Sequence, residues 1–336
     1  MKRNRITRNS LSIALFVFAI GIALAASGPA WAKPKSAATG PDPTTVIPCT
    51  ASTTTLSANN TVYVVSSFTT TFTGTCIKLI GNNDLLTFSA GGSTVQGPGA
   101  TSSSGAGIDI EGTNDVINGR ASNVTGFAIG ILDNGSNTLG DNIDVGCFAG
   151  SCATADGNGI GLEMTGGTVR WNNVGSAYNT GDGIFFNGCG DECGISDFFT
   201  ADNGGDGLAV RNSGDGMAAV FISIDNTGNG VHLGGTRDKT GNSEFTVADA
   251  STSSTLGVYN NGSDGVFLDT SEKNAADVVT GIDAESNGGI DLHDATATCG
   301  SQGHYNLWVS LIVGAGGTTQ AGTATSPACI PLLPNL

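Results

Sequence analysis

Asp182-Gly183-Ile184-Phe185-Phe186 returns as Asp206-Gly207-Leu208-Ala209-Val210, Asn229-Gly230-Val231-His232-Leu233 and Asp264-Gly265-Val266-Phe267-Leu268. Looser copies stand at Ala106-Gly107-Ile108-Asp109-Ile110, Asn158-Gly159-Ile160-Gly161-Leu162 and Gly288-Gly289-Ile290-Asp291-Leu292, with an irregular one around Gly130. With the glycine as marker, a period of 23 to 24 residues recurs, which is the mark of stacked coils. Two longer intervals read as loops inserted into a constant coil, one holding Cys147 to Cys152 and the other Arg237 to Thr255.

The phrase explains why coils stack. Side chains alternate faces along a strand, so the first and third residues after the glycine share a face. Those positions hold Ile184 and Phe186, Leu208 and Val210, Val231 and Leu233, Val266 and Leu268. Burying each contributes on the order of 1.5–3 kcal/mol, but only when a neighbouring coil covers it. Asx and Gly suit the turn because both tolerate a left-handed backbone. A second apolar run in each interval, such as Val220-Phe221-Ile222, allows two or three short strands per turn. The expectation is an all-β chain, a single right-handed parallel β-helix of roughly ten coils.

Composition narrows the setting. Lys2, Arg3, Arg5 and Arg8 precede an apolar run from Leu11 to Ala26 and a small-any-small site at Ala30-Trp31-Ala32, so residues 1–32 read as a cleaved export signal. The run is too short for a membrane span of roughly 20 residues. Residues 33–48 read as a flexible lead-in, 49–330 as the β-helix and 331–336 as a tail. The destination is extracellular, periplasmic or at the cell surface. Net charge is −16, and cleavage removes four basic residues and no acidic one. Such a surface disfavours nucleic acid, anionic lipid and polyanionic ligands, and the mature chain has no membrane span.

Eight cysteines in an exported chain suggest disulfides, paired between sequence neighbours as Cys49 with Cys76, Cys147 with Cys152, Cys189 with Cys193 and Cys299 with Cys329. A tetrahedral zinc site on the two middle pairs is the alternative.

The repeats from Asn179 to Phe186, Asn203 to Val210, Asn226 to Leu233 and Asn261 to Leu268 make residues 49–330 resemble the pectate-lyase-like superfamily of right-handed parallel β-helix proteins. Cys299, Asn306-Leu307-Trp308 and Cys329-Ile330 resemble its closing segment. That superfamily holds lyases, hydrolases, epimerases, adhesins and accessory proteins, so the resemblance implies the fold and leaves activity open. It also implies a site on the outer face of a parallel sheet.

Counted from the marker glycines, the first outward column runs Asp109, Gly161, Phe185, Ala209, His232, Phe267, Asp291, and the second Glu111, Glu163, Asn187, Arg211, Gly234, Asp269, His293. Arg211, His232 and Asp269 form the best catalytic constellation, with Arg237 and Lys239 in the following loop to hold a sugar carboxylate. Phe185 and Phe267 offer stacking surfaces for a sugar. Asp182 and Asp206, at one offset on adjacent coils, suit a bridging calcium ion or a glycosidase carboxylate pair. Two readings remain: a noncatalytic surface, adhesion or binding protein for polysaccharide or cell-surface glycan, and a polysaccharide-degrading enzyme, either a uronate lyase or a glycoside hydrolase. Oligomeric state is not legible.

Overall fold

A computed structural model describes residues 43–321 apart from 47, 90–91, 149–151, 153–155, 191, 212, 235–244, 249–255, 270–276, 296–306, 310 and 314–316. The expected export signal, most of the lead-in, the tail and the Cys299–Cys329 pair lie outside the described residues, as do Arg237 and Lys239. Every strand pair among the described residues is parallel. The pairs build two long sheets of eleven and sixteen strands, between which the chain passes once per turn. No helix among the described residues is long and apolar enough to cross a membrane.

The eleven-stranded sheet runs from Thr54–Leu56 to Thr319–Ala321 and includes Ile160–Met164, Ile184–Asn187, Leu208–Arg211, Val231–Gly234, Val266–Leu268 and Leu292–Asp294. Its inward column is Ile108, Ile131, Leu162, Ile184, Leu208, Val231, Val266 and Leu292, each with no solvent exposure. Two copies of the phrase are displaced from the register expected of them. Leu162, not Ile160, pairs with Ile184, so Gly161 rather than Gly159 matches Gly183. Leu292 pairs with Val266, so Asp291 stands where Gly183, Gly207, Gly230 and Gly265 stand on the preceding coils.

The sixteen-stranded sheet contains long strands, among them Leu139–Gly146, Arg170–Ala177, Cys193–Ala201 and Gly216–Ile224. Each bends at one left-handed residue, Asn142 (φ 57°), Asn173 (52°), Asp197 (53°) and Val220 (54°), so one strand lines two sides of the core. The bend is costly for β-branched Val220, and its neighbours' ladders hold it there.

Two polar devices run through the interior. Asn158, Asn179, Asn203, Asn226, Asn261 and Asn287 stack at the turn leading into the eleven-stranded sheet. Each Oδ1 from Asn179 onward accepts the backbone N–H of the asparagine one coil earlier, at 2.8–3.2 Å. Their Nδ2 groups donate to carbonyls such as Ser176 and Ser223, so a buried corner has its backbone satisfied by side chains. Elsewhere Asp133 and Asp294 occupy inward positions and accept the indole N–H of Trp171 (2.8 Å) and Trp308 (3.2 Å) from the opposite sheet.

Cys49–Cys76, Cys147–Cys152 and Cys189–Cys193 are disulfides, three of the four expected pairs. The middle pairs are thereby committed to sulfur rather than to the alternative zinc site.

Candidate functional site

The register reorders the outward face. Its first column is Thr55, Lys78, Asp109, Leu132, Glu163, Phe185, Ala209, His232, Phe267, His293 and Gln320. Glu163 and His293 therefore leave the expected second column for the first, and Gly161 and Asp291 leave the first altogether. Asn187, Arg211 and Gly234 do share the second column, with Asp269 following Leu268 at its end.

Turn residues aim carboxylates at this face. Asp182 Oδ1 accepts the N–H of Asp206 (2.8 Å), Asp206 Oδ1 that of Asn229 (2.6 Å), Asn229 Oδ1 that of Asp264 (3.0 Å), and Asp264 Oδ1 that of Ile290 (2.6 Å). Asn158 belongs instead to the interior asparagine stack. Asp206 and Asp264 thus each spend one oxygen on the next coil's backbone and give the other to the outward column. Asp206 Oδ2 meets His232 Nδ1 at 2.8 Å, and Asp264 Oδ2 meets His293 Nδ1 at 2.7 Å.

His232 is held at both ends, because its Nε2 lies 3.2 Å from Asp269 Oδ2. Gly234 makes room for this closure: a Cβ there would sit 2.7 Å from Asp269 Oδ2 and 3.1 Å from His232 Nε2. Burial disfavours the imidazolium, but the hydrogen bonds and charges of Asp206 and Asp269 outweigh it, so the pKa is raised above 6.5. The Phe267 ring lies between His232 and His293, with centroids 5.2 and 4.9 Å away.

At the other end, the Arg211 guanidinium lies 5.6 Å over the Phe185 ring, and Asn187 donates to Glu163 at 2.8 Å. Asp182 has its carboxyl raised above the ordinary value by burial, opposed by the Asp206 N–H and by the charges of Arg211 and His232. Of the expected catalytic group, the fold joins His232 to Asp269 directly and turns Arg211 toward Phe185. Asp206, expected as a metal or glycosidase carboxylate, is the other partner of His232. Among the described residues no group of three or more His, Cys, Asp or Glu is arranged to hold a metal ion. His293 and Asp264 were not foreseen as a pair; the repeat of an Asp turn and a following histidine in His232 is the signal that identifies them.

No protein-family model matches the chain, and no curated protein matches it. Among solved structures it is similar to the enzymatically active domain of bacteriophage CBA120 tailspike protein 2, with a TM-score of 0.47 and 14% identity over 80% of this chain and 42% of that one. The chain is a parallel β-helix protein. Its two all-parallel ladders make it one. It is also similar to pectate lyase Pel9A (TM-score 0.43, 14% identity, 79% of this chain and 70% of that one) and to the periplasmic alginate epimerase AlgG (0.37, 11%, 82% and 76%). This β-helix spans about two fifths of the length of the tailspike domain that it matches.

Proposed function

We propose that the chain is an exported, noncatalytic binding protein that holds a glycan on the outward face between Phe185 and His293. The observation that carries this reading is the engagement of both His232 ring nitrogens by carboxylates. A general base needs an uncommitted nitrogen within reach of the proton it takes. The histidine best placed for chemistry has none and works as a clamp across three coils. Around it, rings and carboxylates at strand spacing supply stacking surface and acceptors for hydroxyl groups. Net charge of −16 favours neutral or cationic glycans over polyuronates. Three disulfides fit an oxidising destination, outside the cell or in the periplasm.

A polysaccharide-degrading activity is the second reading, favoured by Asp182, whose carboxyl is raised by burial and faces the charges of Arg211 and His232. The two separate in one experiment. The purified mature protein is incubated, with and without calcium, with polyuronates and neutral glycans, and retention, new reducing ends and unsaturated products are scored. Retention without products is expected. Cleavage abolished by Asp182→Asn or His232→Ala favours the enzyme, and inertness on every glycan overturns both.

A further inference from the structure

Between Phe185 and His293 the outward column has one position without a ring. His232, Phe267 and His293 stack ring on ring, and Phe185 carries the Arg211 guanidinium, but Ala209 between Phe185 and His232 has no ring. Strand spacing of about 4.8 Å puts Phe185 and His232 roughly 10 Å apart, the separation at which one further ring fits between two.

The turn carboxylates mark the same place. Asp206 and Asp264 each give Oδ2 to the histidine three residues past the turn of the following coil. For Asp182 that residue is Ala209, and among the described residues no donor meets Asp182 Oδ2, while Oδ1 takes the Asp206 N–H. The cation beside it, Arg211, stacks on Phe185. Lys78 and Arg170 are ion-paired with Glu111 and Glu192 at 2.7 and 2.8 Å, whereas Arg211 has no carboxylate within 4.0 Å among the described residues. Ala209 itself is fully buried, so a sugar reaches this position only by displacing what covers it.

From this we infer that the Ala209 position is a one-sugar subsite for a neutral pyranose, which enters between Phe185 and His232, gives a hydroxyl hydrogen bond to Asp182 Oδ2 and accepts one from Arg211. The ligand's hydroxyl takes the place that an imidazole fills on the two equivalent coils. One carboxylate and one guanidinium together suit groups that both donate and accept, as hydroxyls do, and the further carboxylates of Asp206 and Asp269 repel a uronate. The inference rests on the glycan-binding reading and names the sugar class for that face.

Ala209→His tests it, because the introduced imidazole has the Asp182 carboxylate as partner, as His232 has that of Asp206. Native electrophoresis is run in gels containing galactomannan, dextran or polygalacturonate. The wild-type chain is expected to be retarded by a neutral glycan and not by polygalacturonate. Ala209→His and Asp182→Asn should each weaken that retardation by roughly tenfold or more at unchanged thermal midpoint. Should Ala209→His not fold, Asp182→Asn and Phe185→Leu decide. Neutral-glycan binding undiminished in the folded variants, or retardation by polygalacturonate alone, overturns the subsite and leaves the binding reading standing. No retardation of the wild-type chain by any glycan overturns the binding reading itself.

Discussion

Asp206 Oδ2 lies 2.8 Å from His232 Nδ1, while the same carboxylate's Oδ1 takes the Asn229 N–H at 2.6 Å, so one side chain fixes both a turn and an imidazole. Because the His232 pKa is raised on folding, the pair's stabilisation is complete below about 6.5 and is lost as pH rises through the folded value. Asp206→Asn should lower the His232 pKa and remove that part of the pH dependence. Histidine NMR titration checks this, and a wild-type His232 titrating at or below the ordinary value contradicts it.

Buried carboxyls add a slope of the same sign. Burial pushes Asp109 and Asp133 up to about 6 and Asp115 and Asp144 up to about 7, from 3.8. The folded chain therefore holds more protons than the unfolded one, and the stabilisation, present below 3.8, is lost as pH rises through 6 to 7. The thermal midpoint should be higher near about pH 4.5 than near about pH 8, and Asp115→Asn should flatten the difference. A midpoint that climbs across this range refutes the prediction.

The asparagine stack is a stability element. Asn203, 1% exposed, accepts from the N–H and Nδ2 of Asn179 and donates to the Ser176 carbonyl. Asn203→Ala strands these groups, at about 1–3 kcal/mol for each one left buried and unpaired. Asn287, half-buried at the end of the stack, should cost less. Urea unfolding of both variants gives the comparison, and equal small losses would show that the stack contributes little.

Gly234 positions the clamp rather than binding ligand. Gly234→Ala places a Cβ against Asp269 Oδ2 and His232 Nε2, the movable ends of two side chains, so the coil should fold while the contact opens. The expected result is a lower His232 pKa at nearly unchanged unfolding midpoint. An unaltered titration would mean that Asp269 does not hold the imidazole.

The parallel coil was legible because its signal is local: glycine, then apolar residues on alternate positions. Three disulfides were legible because each joins consecutive cysteines of the chain, 27, 5 and 4 residues apart. The register failed where the local signal is ambiguous. Gly159-Ile160-Gly161-Leu162 contains two overlapping copies of the marker, and only the pairing of Leu162 with Ile184 chooses between them. Asp291 hides the last copy by standing where a glycine is expected. The histidine clamps were out of reach for a different reason. Asp206 and His232 belong to consecutive coils, so their meeting depends on how the coils align and not on either stretch alone. Likewise the buried aspartates that hold Trp171 and Trp308 read as breaks in an apolar column until the opposite sheet supplies the indole.

The proposed binding role requires that both ring nitrogens of His232 stay engaged by Asp206 and Asp269. Nitrogen-15 NMR of the His232 ring near about pH 7 tests it most directly. Both ring nitrogens should carry protons, Nδ1 donating to Asp206 Oδ2 and Nε2 to Asp269 Oδ2. A neutral ring with one uncommitted nitrogen would contradict it, because that ring would be a competent base.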